Sequence, residues 1–111
     1  MSYNLKTLPP FEREAKKLTK KYPSFKKDIL ELSKKLIENP IQGDNLGKNF
    51  YKVRFAISSK GKGKSGGARL ITYIKVVETT IYLATIYDKT NKSSISEKEL
   101  EKLLVELEII E

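Results

Sequence analysis

Residues 50–88 decide the fold of this chain, and they read FYKVRFAISSKGKGKSGGARLITYIKVVETTIYLATIYD. Apolar and polar side chains alternate over the first eight of these residues, which is the period of a half-buried strand. Residues 68–77 and 80–87 are rich in the β-branched and aromatic side chains that favour strands, and the two-residue link between them predicts a hairpin. Residues 58–67 are a flexible loop rich in lysine and glycine. The stretch therefore predicts three consecutive strands with a basic loop after the first.

Helices are expected on both sides of these strands. In residues 11–22 and 25–36, apolar side chains recur at the spacing of an amphipathic helix. Ser96 and Glu99 form a capping box that predicts the start of a last, leucine-striped helix. Together with a weak strand near the N-terminus, the order predicts an α+β fold: a helical hairpin packed on an antiparallel sheet of three to four strands, followed by a C-terminal helix.

Length and composition narrow the possible functions. The chain has 111 residues, which predicts a single domain over residues 1–111, and 39% of them are apolar. It contains no cysteine and no histidine, which excludes thiol nucleophiles, thiolate zinc sites and imidazole catalysis. We expect no metal and no cofactor. Because no apolar run approaches the roughly 20 residues of a membrane span, we also expect no membrane partner and a cytoplasmic location.

The charge of the chain is unevenly distributed. Lysine and arginine number 22 against 14 acidic residues, for a net charge of +8. Residues 1–75 hold 18 basic and 6 acidic side chains, and within residues 44–75 eight basic side chains accompany one acid, Asp44. Such a field attracts polyanions through long-range attraction and counterion release. The alternative is a lysine-rich surface that is only solvated.

The basic loop matches two nucleotide-binding patterns by letter. Residues 61–66 fit G-x-G-x-x-G, and residues 63–65 resemble the end of a Walker A motif. In both patterns a helix must follow the glycines, whereas here a strand is predicted, so we expect no nucleotide cofactor. Loop lysines and exposed backbone N–H groups can instead hold the phosphates of an RNA strand. An exposed loop with solvated lysines remains the alternative.

Arg69 is unusual because it lies in the middle of a predicted strand. It shares a face with Tyr73, and a buried arginine is costly unless it meets water, a carboxylate or a ligand. Asp88 and Glu78 are possible structural partners, and a phosphate ligand is the other possibility. Tyr73 and Tyr87 can either stack on bases or pack in the core.

Residues 50–54, 61–73 and 81–89, taken in this order, resemble the RelE/ParE superfamily of toxins from type II toxin–antitoxin systems, and RelE- and HigB-like members most of all. The resemblance implies a toxin that cleaves mRNA in the decoding site of the translating ribosome. The ribose 2′-OH attacks the adjacent phosphate without a metal and leaves a 2′,3′-cyclic phosphate and a 5′-OH end. It also implies a cognate antitoxin, usually acidic, that neutralises the toxin.

The resemblance assigns roles to individual residues. Arg69 and Arg54 are expected to bind the scissile phosphate, and a loop lysine crowded by other cations to act as the base. The expected catalytic residues are Arg69, Arg54, Lys64 and Lys89. The expected RNA-binding residues are Lys52, Lys60, Lys62, Tyr73 and Tyr87.

Two other functions fit the same fold. ParE-like relatives inhibit DNA gyrase without cleaving RNA, and a toxin-fold protein can also bind RNA without activity. The second alternative is supported by the absence of any aromatic residue after Tyr87, where RelE-type enzymes often carry a catalytic tyrosine. Fold alone does not separate these functions.

Overall fold

The computed structural model describes residues 2–110, which form three helices, five strands and two short 3-10 turns. In chain order the elements are β1 (Asn4–Thr7), α1 (Pro9–Lys21), α2 (Phe25–Glu38), β2 (Asp44–Gly47), β3 (Phe50–Phe55), β4 (Ala68–Lys75), β5 (Thr80–Asp88) and α3 (Glu97–Ile110). The predicted α+β class and the order of the elements are confirmed. No helix within the described residues is both long enough and apolar enough to cross a membrane.

The strands form one sheet in the order β1-β5-β4-β3-β2. Strands β3, β4 and β5 pair antiparallel, as the sequence predicts, but β1 pairs parallel with β5. The sheet is therefore mixed rather than purely antiparallel. A parallel pair requires a long connection, and here everything from α1 to β4 lies between the two partners in sequence.

The edge strand β2 was not predicted. It pairs with β3 through a two-residue turn in which Lys48 and Asn49 both have positive φ, 54° and 68°. Two left-handed residues give the turn the twist that a tight hairpin needs. The strand itself is short and polar, reading Asp-Asn-Leu-Gly, so it has no alternation for a sequence argument to detect.

The two faces of the sheet are covered by different helices. One face packs against the helical hairpin through buried apolar residues that include Phe11, Leu18, Phe25 and Leu36. The opposite face packs against α3 through Leu103 and Leu107, over Phe50, Ile71, Tyr82 and Ala84. Only part of this second face is covered by α3, and the exposed Arg54 of β3 lies on the rest of it.

The start of α3 confirms the predicted capping box. The Glu99 backbone N–H donates to the Ser96 Oγ at 3.2 Å, and the Ser96 backbone N–H donates to the Glu99 Oε1 at 3.1 Å. These reciprocal bonds satisfy two amide groups that the first turn leaves unpaired. Ile95, just before the cap, and Leu100, in the first turn, both pack against the core cluster under this helix.

Candidate active site

Three of the predicted site residues form a row across the sheet. Arg54 on β3 lies opposite Arg69 on β4, and Arg69 lies opposite Tyr87 on β5. Residues opposite each other in antiparallel strands project from the same face, here the face that α3 partly covers. The structure therefore brings two guanidinium groups and a phenol together at the end of β4 that adjoins the basic loop.

A shallow groove of about 290 Å³ lies beside this row at the edge of the sheet. Lys52, Arg54 and Lys64 line it together with Asp44 from β2. The Asp44 Oδ2 lies 3.9 Å from both the Lys52 Nζ and the Arg54 Nη2. Arg54 is 58% exposed, and Lys64 has no ion-pair partner among residues 2–110. Arg54 and Lys64 are therefore accessible to a ligand from solvent.

Arg69 is buried, with only 4% of its surface exposed. Its Nη1 donates to the carbonyl oxygens of Lys64 at 2.9 Å and Ala68 at 3.1 Å, and its Nη2 donates to the carbonyl of Ser65 at 3.2 Å. The partners considered from the sequence are engaged elsewhere: Asp88 pairs with Lys60 and Glu78 with Lys75. Arg69 therefore holds the basic loop through its backbone and positions Lys64 at the groove.

The base of the loop is fixed by a buried ion pair. The Lys60 Nζ lies 2.7 Å from the Asp88 Oδ1, and the Tyr22 hydroxyl donates to the Asp88 Oδ2 at 2.6 Å. Burial alone raises the pKa of the Asp88 carboxyl, but hydrogen bonds from Lys60, Tyr22 and Thr90 outweigh it and hold the pKa well below its ordinary value. The Lys60 side chain is only 9% exposed, so its ammonium serves the loop rather than the open groove.

A second polar contact ties the loop to the helical hairpin. The Ser58 backbone N–H and hydroxyl both donate to the Asp28 carboxylate, at 2.7 and 2.6 Å. Burial raises the pKa of Asp28, and the hydrogen bonds from Ser58 and Ser24 more than reverse that effect, so its pKa lies below the ordinary value. The start of the loop, which the sequence predicts to be flexible, is thus bound to the body of the protein through Ser58 and Lys60.

Gly67, at the end of the loop, has no space for a side chain. A Cβ atom at Gly67 would lie 2.1 Å from the Phe55 carbonyl oxygen, which no side chain can tolerate. The Lys89 backbone N–H donates to the Gly67 carbonyl at 3.1 Å and joins the loop end to the segment after β5. Lys89 thus lies beside the loop, and its Nζ donates to the Ser93 carbonyl at 3.0 Å.

Tyr87 is 8% exposed, and its hydroxyl is buried without a hydrogen-bond partner among the described residues. Burial raises the pKa of its phenol, and the positive charges of Arg69 and Arg54 oppose that rise only in part. The Lys92 Nζ lies 5.5 Å from the centre of its ring. Tyr87 is therefore a neutral phenol next to the arginine row, enclosed in this conformation.

The remaining predicted residues lie apart from the groove. Lys62 is exposed on the loop. Tyr73 packs between the rings of Phe50 and Tyr82, with ring centres 5.2 and 6.2 Å away, so its position is that of a core side chain next to α3. The structure thus places Lys52, Arg54 and Lys64 at the groove. Arg69 and Tyr87 follow Arg54 in the row across the sheet, whereas Tyr73 and Lys60 lie apart.

A larger cleft of about 410 Å³ lies between α1, β5 and α3. Its charged lining is balanced, with Arg13, Lys92 and Lys102 against Glu14, Glu99 and Glu106. Balanced charge gives a polyanion no preference for this cleft. The smaller groove, with three cations and one acid, is the better match for the charge asymmetry of the sequence.

Sequence reasoning missed the acidic residues that organise the site. Asp44 was noted only as the single acid of its stretch, although that isolation was the available signal. The roles of Asp28 and Tyr22 gave no signal, because their partners lie 30 and 66 residues away. Within residues 2–110 no three carboxylate side chains gather closely enough to hold a metal ion.

Comparison with known proteins gives the same family as the sequence resemblance. A family model described as the RelE toxin of the RelE/RelB toxin–antitoxin system matches residues 6–107. The fold is similar to that of an arginine-to-alanine double mutant of the E. coli toxin RelE in the free state, with a TM-score of 0.60 over 96% of this chain and 94% of that chain, at 15% identity. Since the family model covers almost the whole sequence, the chain belongs to the RelE toxin family.

Proposed function

We propose that this toxin is a ribosome-dependent mRNA endonuclease that inhibits translation. The observation that carries the proposal is the pairing of Arg54 with Arg69 on adjacent strands. Like charges directly opposite each other destabilise a sheet, and here loop carbonyls take up the donors of Arg69 while Arg54 keeps only a 3.9 Å contact with Asp44. An anion on the same face, such as a phosphodiester, relieves the repulsion.

The groove supplies the groups that phosphate binding needs. Arg54 offers a planar fork of donors that matches two phosphate oxygens, and Lys52 and Lys64 add point charges beside it. We assign Arg54 and Lys64 to the scissile phosphate. Arg69 adds positive charge next to the scissile phosphate and holds the loop in place. Lys89 and Lys62 are assigned to the neighbouring part of the RNA backbone.

The reaction depends mostly on electrostatic stabilisation of the charge that develops in the transition state. As the ribose 2′-O attacks phosphorus, negative charge builds up on the equatorial oxygens, and fixed guanidinium groups stabilise it better than mobile water does. The O2′–P bond forms, the P–O5′ bond breaks, and the products carry a 2′,3′-cyclic phosphate and a 5′-OH. Tyr87, next to the row, is the candidate for stacking on a base once the enclosing Lys92 side chain moves.

Dependence on the ribosome is supported by the shape of the groove. It is shallow and lies at a sheet edge, so it contacts only a short part of an RNA strand and leaves the rest of the strand without contact. A second surface must then fix the mRNA, and the decoding site is one that presents single-stranded codons. The proposal therefore places the toxin in the cytoplasm, on translating ribosomes.

Membership in the family implies an antitoxin partner. Residues 44–75 carry eight basic side chains against one acid, so we propose that an acidic segment of the antitoxin covers the groove. This occupant would compete with mRNA for Arg54 and Lys64. Co-purification with the product of a neighbouring small reading frame would test the pairing, and its absence would count against it.

The test of the function is end-mapping of a reporter mRNA with the purified protein, with and without ribosomes. We expect cuts within codons on ribosomes only, with 5′-OH ends. Intact mRNA during continued translation would overturn the proposal. In that case a gyrase supercoiling assay and a filter-binding assay would distinguish a gyrase inhibitor from an inactive RNA-binding protein.

A further inference from the structure

The start of the basic loop is held by the first turn of α2. The Ser58 backbone N–H and hydroxyl donate to the Asp28 carboxylate at 2.7 and 2.6 Å. The Ser24 hydroxyl donates to the same carboxylate at 2.8 Å, and it accepts a bond from the Ser59 backbone N–H at 2.8 Å. Asp28 thus fixes two consecutive loop amides, that of Ser58 directly and that of Ser59 through Ser24.

The helix turn that carries Asp28 is anchored in the core. Phe25, at the start of the same helix, is buried, and its ring centre lies 6.3 Å from that of Phe55 at the end of β3. Because the loop begins shortly after Phe55 in sequence, the first turn of α2 and the end of β3 form one packed unit beneath it. Asp28 can therefore hold the loop at a fixed position relative to the sheet.

The segment between this anchor and the groove has few restraints of its own. Gly61 and Gly63 have positive φ, 72° and 61°, and the space beside each is open. A glycine backbone is less restricted than that of any other residue. The position of Lys64 therefore depends on contacts before and after the glycines. Asp28 and the buried ion pair hold the start of the segment, and Arg69 holds its end through the Lys64 carbonyl.

We propose that Asp28 is a positioning residue of the active site, which acts on the reaction through the loop and Lys64. This inference rests on the proposed function. A cation stabilises the charge that develops on a phosphate only from the correct distance and direction, so a small displacement of Lys64 lowers the rate. Binding of single-stranded RNA depends less on placement, because a mobile lysine still attracts phosphate and releases counterions.

The experiment compares Asp28→Ala with Glu12→Ala as a matched control. Each acid lies in the first turn of a helix of the hairpin, and each accepts a hydroxyl hydrogen bond at 2.6 Å. The donor to Glu12 is Thr7 of β1, which is not a loop residue. The two substitutions thus remove the same kinds of interaction, but only Asp28→Ala releases the loop.

Three quantities are measured on variants shown to be folded by circular dichroism: single-turnover cleavage of a reporter mRNA at saturating ribosomes, affinity for a single-stranded oligoribonucleotide, and the rate of trypsin cleavage of the loop. We expect Asp28→Ala to slow mRNA cleavage about 10-fold or more and to keep its RNA affinity within about two-fold. Trypsin should cut it faster at Lys62 and Lys64. Glu12→Ala should match the wild type in all three measurements.

Combining Asp28→Ala with Lys64→Ala tests whether the first residue acts through the second. If it does, the double variant should cleave mRNA within about two-fold of the rate of Lys64→Ala alone, whereas independent effects would multiply. Asp28→Asn keeps an oxygen that can accept the Ser58 N–H bond. It should recover part of the rate, because positioning requires an acceptor and not a charge.

Effects that multiply in the double variant would overturn this inference, as would wild-type rates of mRNA and trypsin cleavage in Asp28→Ala. An equal loss of affinity and cleavage would overturn it as well, in favour of a general role in folding. In each of these cases the wild type cleaves mRNA, so the proposed function stands. An inactive wild-type protein would overturn the proposed function and this inference with it.

Discussion

Four cations of the basic stretch divide into two pairs with opposite surroundings. Arg69 and Lys60 are buried and have their donors taken up, by loop carbonyls in one case and by Asp88 and Thr90 in the other. Arg54 and Lys64 are exposed, with at most one long contact to Asp44. All four count equally in the net charge, but only the second pair can meet a ligand without rearrangement.

The comparison shows how a small protein builds a binding site from one kind of residue. A cation that is buried must be paired, because an unpaired buried charge is very costly. Once paired, it fixes the backbone to which its partner belongs. The buried pair therefore shapes the loop, and the exposed pair keeps the capacity to bind phosphate.

The largest effect is expected from breaking the buried pair. Asp88→Ala leaves the Lys60 ammonium without its carboxylate, and removing one partner of a buried pair costs about 3–5 kcal/mol. Urea unfolding would measure this loss. The matched control is Glu14→Gln, which removes the partly exposed partner of the exposed Arg13 and Lys17 side chains and should change stability by less than about 1 kcal/mol. Equal losses for both variants would refute the distinction between buried and exposed cations.

Arg69→Ala should affect the loop and the activity together. It leaves the carbonyls of Lys64, Ser65 and Ala68 without their donor, for which we expect a loss of about 2 kcal/mol. The released loop should be cut faster by trypsin at Lys62 and Lys64, and ribosome-dependent cleavage should fall. Unchanged proteolysis with normal activity would mean that Arg69 neither holds the loop nor takes part in the site.

Acid should weaken the fold through the same carboxylates. The pKa values of Asp88 and Asp28 are lowered in the folded state, while the unfolded chain titrates near the ordinary value of about 4. Their stabilisation is complete above that value and is lost as the pH falls below it. The urea concentration at the unfolding midpoint should therefore decrease once the pH is lowered below about 4. In Asp88→Asn this decrease should be smaller. A pH-independent midpoint from pH 6 to pH 3 would contradict the role of these groups.

The smallest effect is expected when one exposed cation, Lys64, is removed and only the binding of single-stranded RNA is measured. Lys64→Ala removes one phosphate contact, so the slope of log affinity against log salt for single-stranded RNA should decrease in size by about 0.7. Lys34→Ala, an exposed lysine on α2, is the control and should leave the slope unchanged. The same slope for both variants would mean that Lys64 does not contact phosphate.

Most of the fold could be predicted from the sequence because its strong signals are local. Alternation in β3, β-branched content in β4 and β5, and the Ser96 capping box each act over a few residues. The β2 strand was not predicted because it is short and polar. The parallel pairing of β1 with β5 was not predicted because it joins positions about 76 residues apart.

The residue types of the site could be predicted, but the separate roles of its buried and exposed cations could not. Residue types and a family resemblance identified Arg54, Lys64 and Arg69. Which of them is buried depends on where the loop folds back, through contacts such as Ser58 with Asp28 that no spacing rule anticipates. The importance of Asp44 depends on the register of an unpredicted strand.

Exposed cations at the groove are proposed to act on the scissile phosphate. The decisive experiment compares Arg54→Ala with Lys34→Ala in single-turnover cleavage of a reporter mRNA at saturating ribosomes. We expect Arg54→Ala to lose about 100-fold or more in rate, with an unfolding midpoint close to wild type, and Lys34→Ala to cleave at the wild-type rate. Cleavage by Arg54→Ala at the wild-type rate would contradict it.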